Sequence, residues 1–417
     1  VRERDLAERR VTSLRTQSAL EALRWRLKRA PAAAEAAWRD GGGLRPPREL
    51  ASHLLATVGW IEHAHDATGR KGVARSYSLV PHRRYARRGW LPAYPETTGY
   101  LIPTLLAAAR HLGREELARR ALEMAEWEAE LQLESGAVRG GTVEDEVSPA
   151  VFNTGQVLFG WIAAHEATSD ARFSGCATRA ARWLVESQDE DGAWRRGASK
   201  FAAQNGHVYN ARAAWALALH GTRTRDAAAV AAARRAADFA LVQQRENGWF
   251  AENCLDDPAH PLLHTIAYAA QGVLEIGLLL DEPRFVEAAR RAARGVAARV
   301  AADGALPGRL DAEWRAAAPW SCVTGEAQMV LVWDRLDALA AKAGAGGEFG
   351  TAATAVLRHA LATQDLDHRE PGIRGGVAGS FPIWGDYGRY EYLNWAAKFL
   401  VDALLGRLAH EPGGTRG

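Results

Sequence analysis

Six stretches of the 417-residue chain set polar and aromatic side chains at the same register. They are Tyr94-Pro95-Glu96-Thr97-Thr98-Gly99-Tyr100, Phe152-Asn153-Thr154-Gly155-Gln156, His207-Val208-Tyr209-Asn210-Ala211-Arg212, Leu263-His264-Thr265-Ile266-Ala267-Tyr268, Trp320 through Gln328 and Tyr390 through Lys398. Three chemistries draw on these residue types. Hydrolysis of a glycosidic bond takes two carboxylates about 5–10 Å apart across the bond. Glu96 and Glu326, with Asp145 or Glu146, are the candidates. Elimination at a uronate takes a base and donors that neutralise the sugar carboxylate. His207, Tyr209, Asn210, Arg212, His264 and Tyr268 supply that set. A zinc site would draw on Cys254, His264 and Cys322 with Asp256 or Asp257, but the spacing is long and no C-x-x-C is present. No metal and no cofactor are expected.

Helix capping accounts for Thr97, Ser148, Asn153 and Asn210. It does not account for Glu96, Arg212, His264, Glu326 and Lys398. Burying so many polar groups costs free energy unless they bond to each other, to water or to a ligand. The expected catalytic set is therefore Glu96, His207, Tyr209, Arg212, His264 and Glu326. Around it the expected binding residues are Tyr100, Asn153, Gln156, Asn210, Tyr268, Trp320, Gln328, Arg374, Trp384, Tyr392, Asn394, Trp395 and Lys398. Two loops, 140–148 with three acids and the Gly-rich 371–387, would complete a mouth. Trp90, Trp320, Trp384 and Trp395 are expected to wall it, since flat apolar faces stack on sugar rings or hold an isoprenoid.

What positions these residues is a repeat. Gln132-x-x-x-Gly136 recurs as Gln188-x-x-x-Gly192 and Gln244-x-x-x-Gly248, each 56 residues on, and Gly304 falls 56 beyond Gly248. A sustained period of this length is the signature of stacked supersecondary units. Each period holds one helical pattern with a single apolar stripe and one that is apolar on most sides. The first kind belongs outside and the second inside. Outer patterns run near 51–66, 114–131, 170–187, 225–243, 283–300 and 349–363. Inner ones begin near 96, 150, 208, 263, 321 and 391. The series starts with an outer helix and ends with an inner one, so first and last can pair. An open array would need polar end caps, and 391–408 is too apolar for that. The expected fold is all-α, a closed (α/α)6 toroid over 48–410, with a helical extension at 1–47 and a disordered tail at 411–417.

Composition narrows the function. Lys plus Arg is 52 and Asp plus Glu is 50, which leaves no excess of charge for a general nucleic-acid binder. No run of 18 apolar residues suggests a membrane span, and the first residues lack the apolar run of a secretory signal. Three widely spaced cysteines do not make a disulfide framework, so a reducing, cytoplasmic setting is expected. There is no phosphate-binding G-x-x-x-x-G-K-S/T loop and no H-E-x-x-H.

The motifs Y-P-E-T-T-G-Y (94–100), F-N-T-G-Q (152–156), H-T-I-A-Y (264–268), S-C-V-T-G-E-A-Q (321–328), P-G-I-R-G-G (371–376) and N-W-A-A-K (394–398) resemble a bacterial family often found beside polysaccharide-biosynthesis genes. That family looks like a member of the six-hairpin glycosidase group, which shares its toroid with terpenoid cyclases and prenyltransferase subunits. The resemblance covers about 50–408. It implies the toroid and points to a glycoside hydrolase or polysaccharide lyase acting on a bacterial exopolysaccharide. An isoprenoid-handling toroid and a non-catalytic glycan-binding or scaffold protein are the alternatives. The Q-x-x-x-G-x-W stretch at 188–194 also resembles the squalene-hopene cyclase repeat, but the D-x-D-D acid motif of those cyclases is missing; Gln188-Asp189-Glu190-Asp191 is the nearest stretch.

Overall fold

The computed structural model describes residues 30–37, 43–198 and 206–410. Of the expected extension only 30–37 and 43–47 fall among these residues, and the expected tail at 411–417 lies outside them. Residues 30–37 are helical (α1), and Ala36 packs with Leu79, Ile373, Ala378 and Ile383 in a small cluster beside the main core.

Twelve longer helices alternate in kind. The outer set is α2 (Leu50–Asp66), α4 (Glu115–Leu131), α6 (Ala171–Ser187), α8 (Ala227–Val242), α10 (Pro283–Ala297) and α12 (Gly350–Ala362). The inner set is α3 (Pro95–Leu112), α5 (Val151–Thr168), α7 (Ala211–Thr224), α9 (Leu263–Leu279), α11 (Val323–Lys342) and α13 (Asn394–Leu408). Outer helices bury one stripe, as α10 does with Phe285, Ala288, Ala289, Ala292, Ala293 and Val296. Inner helices bury most of their circumference, as α9 does from Leu263 through Leu274. Each inner helix packs on the next, and α13 packs on both α3 and α2. The ring is closed, as its apolar last helix requires.

Short strands stitch one rim. β1 (Ser76–Ser78) lies between β2 (Gly89–Trp90) and β5 (Glu391–Leu393), both antiparallel, with Tyr77 opposite Trp90 on one side and Tyr392 on the other. β3 (Ser321–Cys322) pairs with β4 (Ser380–Phe381). The first sheet joins the segment after the first outer helix to the segment before the last inner one, so it seals the closure.

The 56-residue repeat has a clear physical cause. Gln132, Gln188 and Gln244 each end an outer helix. Each side-chain amide donates to the carbonyl of its own glycine and to a carbonyl of the next outer helix: Cys176, Ala232 and Ala288, at 2.8–2.9 Å. Its Oε1 accepts from Arg179, Arg235 or Arg291 of that helix. The glycines sit at φ of +90°, +89° and +88°, and a Cβ there would fall within 2.6 Å of the neighbouring backbone. Gly304 repeats this against Ala355, with Val300 in the glutamine position.

A further copy closes the ring, and its spacing hides it in the sequence. Gln364 donates to Gly375 O at 2.9 Å across an insertion, and Gly375, at φ +74°, would set a Cβ 2.2 Å from Ala56 O of α2. His53 of α2 takes the arginine's part, with Nδ1 2.7 Å from Gln364 Oε1. Gly375→Ala is therefore expected to destabilise the fold by about 3 kcal/mol, from left-handed strain plus a clash with backbone. Gly113→Ala, also at positive φ but with nothing within 4 Å of the added carbon, should cost only about 1 kcal/mol. Urea midpoints of the two variants check the difference.

Candidate active site

Inner helices approach closely near their N-termini because glycines stand at the crossings. A Cβ on Gly99 would meet Val157 Cα at 2.5 Å, one on Gly155 would meet Ala213 at 2.4 Å, and one on Gly272 would meet Ala211 at 2.4 Å. The N-terminal ends thus converge on one mouth, where a cavity of about 640 Å³ opens. Its walls come from the starts of α3, α5 and α9, the turn before α7, and loops 79–88, 140–148 and 380–390.

Glu96, in the first turn of α3, is one of the two carboxylates that line this cavity, with Asp145. Tyr94 OH donates to its Oε2 at 2.7 Å. Burial pushes the Glu96 carboxyl up to about 7, against the lowering effects of that hydrogen bond and of Arg75 and Arg212. A helix N-terminus favours the carboxylate, and desolvation outweighs it. At neutral pH Glu96 is thus poised between acid and carboxylate, as a proton donor must be.

His264, at the start of α9, faces the same space. Its Nδ1 lies 2.8 Å from Gln328 Oε1, and burial pushes the imidazole down to about 3. It is neutral, with Nδ1 carrying the hydrogen toward the amide oxygen. Tyr268 lies 4.3 Å from the His264 ring, and Tyr209 stacks on His207 (4.9 Å) and meets Phe152 edge to face (5.5 Å). Trp395 donates from Nε1 to Tyr387 OH at 2.8 Å and lies under the Arg75 guanidinium at 5.3 Å.

Charge gathers at the rim. Arg75 donates to Glu391 at 2.7 Å, and Ser76 donates to the same oxygen at 2.6 Å. Asp145 accepts from the Thr142 backbone N–H at 2.7 Å and pairs with Arg84. Arg83 also lines the cavity, is exposed, and makes no ion pair among the described residues.

The structure brings Glu96, Asn153, Tyr209, His264, Tyr268 and Trp395 of the expected set to this cavity. His207 and Gln328 stand behind it, holding Tyr209 and His264. Asn210 is buried in a 3-10 turn next to Tyr209. Glu326 does not reach the cavity. Its Oε1 accepts the Leu306 backbone N–H at 3.0 Å and its Oε2 lies 2.9 Å from His359 Nδ1. It fixes the turn after Gly304, as Thr154 fixes the turn after Gly136 by accepting from Val138 N–H. Arg212, Tyr100 and Lys398 line a different cavity, and Gln156 holds Arg212 there. Asn394 bonds Ala74 O and Thr97, so it is part of the ring closure. Tyr392 is in β5. Arg374 is exposed on its loop, Trp320 packs against Gly308, and Trp384 is a half-exposed rim residue outside the lining. Trp90 does not line the cavity either; it packs on the core, 5.1 Å from Trp60.

The expected caps also differ. Neither Asn153 nor Asn210 caps a helix: Asn153 donates to Arg139 O, and α7 has no side-chain cap. Sequence reasoning missed Arg75, His82, Arg83, Arg84 and Tyr85, and it named the stretch that holds Tyr94 and the loop that holds Tyr387 without singling those residues out. The run His82-Arg83-Arg84-Tyr85-Ala86-Arg87-Arg88 was the available signal.

No protein-family model matches the sequence, and no curated protein matches it. Solved structures do match. An unsaturated glucuronyl hydrolase specific for heparin superposes with a TM-score of 0.67 at 16% identity, covering 86% of this chain and 97% of that one. An unsaturated glucuronyl hydrolase from Bacillus sp. GL1, responsible for the degradation of glycosaminoglycan, gives 0.66 at 15% identity, covering 87% and 97%. A protein described as a novel alpha-amylase from Clostridium perfringens gives 0.58 at 11% identity, covering 85% and 97%. The chain has the six-hairpin glycosidase fold. Among the described residues no helix is long and apolar enough to cross a membrane.

Glu326→Gln leaves the buried His359 without its carboxylate. Breaking such a pair costs about 3–5 kcal/mol. The variant should melt well below the parent, while the folded fraction at low temperature keeps whatever turnover the parent shows. Thermal denaturation followed by circular dichroism, with activity scaled to folded protein, checks it.

Proposed function

We propose that this protein is a glycoside hydrolase that acts on an acidic bacterial exopolysaccharide or its fragments, with Glu96 as proton donor. The observation that carries this reading is the desolvated Glu96 carboxyl, raised to about 7 in the lining of an aromatic cavity. Solved structures of this fold include unsaturated glucuronyl hydrolases, one of them bound to dGlcA-Glc-Rha-Glc, and that supports a saccharide substrate.

In this reading Tyr94 orients Glu96, whose proton passes to the glycosidic oxygen as the bond to the anomeric carbon breaks. A water oxygen bonds to that carbon and loses its proton to a carboxylate. Asp145, held by Arg84 and the Thr142 backbone N–H, is the other carboxylate that lines the cavity, and it takes that role. Trp395 and Tyr209 offer ring faces to the sugar, and Arg83 with Arg75 meets an acidic substituent. An elimination mechanism is less well supported, because the neutral His264, held near 3, is a weak base. Acids and arginines around the mouth also suit a sugar better than an isoprenoid chain.

Glu96→Gln keeps the shape of the side chain and removes its proton. Turnover should fall by about 10²–10⁴-fold with the fold intact. In the parent, activity should decline as pH rises through about 7, because Glu96 loses its proton there. The assay is a panel of acidic bacterial polysaccharides and their oligosaccharides, read for new reducing ends and for ultraviolet absorbance of unsaturated uronates. Reducing ends without a gain in absorbance support hydrolysis. A gain in absorbance would mean elimination, and full activity of Glu96→Gln would remove Glu96 from the chemistry.

A further inference from the structure

A second cavity, of about 300 Å³, lies on the other side of Tyr268 from the first and runs between α3, α5, α7 and α13. Two cations meet in it. Arg212 is 2% exposed and Lys398 is 5% exposed. Their charged groups lie over the same two rings: Arg212 is 5.9 Å from Tyr100 and 5.0 Å from Phe399, and Lys398 is 5.3 Å and 4.4 Å from them. Lys398 pairs with Asp402, whose other oxygen accepts from Thr104. The Arg223–Glu166 pair also lines this cavity.

Arg212 makes no ion pair among the described residues; Asp402 and Glu275, the carboxylates that act on it, are paired with Lys398 and Arg335. The Arg212 Nε donates to Gln156 Oε1 at 2.9 Å and its Nη1 to Gln271 Oε1 at 2.6 Å, both neutral amides, and Nη2 meets no acceptor among the described residues. An uncompensated buried charge is strongly destabilising. Arg212 is also the second residue of α7, where the helix dipole disfavours a cation. Burial and Arg212 together hold the Lys398 ammonium down at about 8, against the raising effect of Asp402. The two paired carboxylates leave one positive charge in the cavity, and it sits on Arg212.

We propose that this second cavity is an anion site, in which a carboxylate, phosphate or sulfate group bridges Arg212 and Lys398. The aromatic faces of Phe159 and Trp215, which also line it, leave room beside the anion for a body of monosaccharide size. The site is separate from the cavity that holds Glu96 and does not depend on the hydrolase reading.

Isothermal titration of the full chain with inorganic phosphate, sulfate, glucuronate and glucose at fixed ionic strength tests it. Phosphate or sulfate should bind and glucose should not. Binding of glucuronate would point to an acidic sugar as the source of the anion, and its failure beside phosphate binding would point to an inorganic or ester oxyanion. Lys398→Met and Arg212→Gln should each weaken phosphate binding by about tenfold or more, the loss of one charge-assisted contact. Arg358→Ser, at an exposed residue outside both cavities, should not change it. Asp402→Asn removes the competing carboxylate and should tighten binding severalfold, a gain that misfolding cannot produce. Absence of anion binding, or binding unchanged in both the Arg212 and Lys398 variants, would overturn the site.

Discussion

A glycine with φ near +90°, pressed against the backbone of the next outer helix, sets the spacing of the whole ring. The left-handed turn and the close approach are two separate demands, and only a residue without Cβ meets both. The glutamine four residues earlier adds the bond that makes the contact directional, since its amide satisfies a carbonyl of its own turn and one of the next outer helix at once. Repetition of this step carries the chain around, and the Gln364–Gly375 copy turns an array into a toroid. Inner helices then have no freedom to slide. Their first turns are held at one level, and the mouth exists because of that.

The same enclosure sets the chemistry of the mouth. Desolvation penalises charge of either sign, so it raises Glu96 and lowers His264 together. The Glu96 and His264 groups therefore bring little net charge, and the charges of the cavity stand in pairs such as Arg75–Glu391 and Arg84–Asp145. Glu326 shows the other outcome of burial. It is fully buried, whereas Glu96 keeps part of its surface open to the cavity, and His359 and a backbone N–H take both of its oxygens, so nothing remains for a substrate.

The ring was legible in the sequence because its cause is periodic: three Gln-Gly steps and alternating one-sided and all-round apolar helices suffice to count six hairpins. The closing copy was not legible, since the insertion between Gln364 and Gly375 breaks the spacing. Register identified which residues start the inner helices, and hence Glu96, His264, Tyr209 and Trp395. It did not tell which face each residue presents. One helical turn separates Glu96, in the mouth, from Tyr100, which lines the other cavity. Polar type misled at Glu326 and Asn394, where a buried backbone group needed a partner. The 79–88 loop, outside the repeat, had no register to be read by.

The inner helices thus carry two different polar layers, and Tyr268 stands at the boundary between them. It lies 4.3 Å from the His264 ring on one side and 5.1 Å from the Arg212 guanidinium on the other. A packed toroid core would ordinarily fill such a bore with apolar side chains, because hydrophobic replacement of buried ions is often neutral or stabilising. Here the upper layer retains a buried acid and the lower layer a buried guanidinium, each held by neutral partners: Tyr94 for Glu96, and Gln156 with Gln271 for Arg212. Neutral partners orient a group without cancelling its charge or fixing its proton. That is a poor way to stabilise a fold and a good way to keep a group available to a ligand, and it is the common feature of the two cavities.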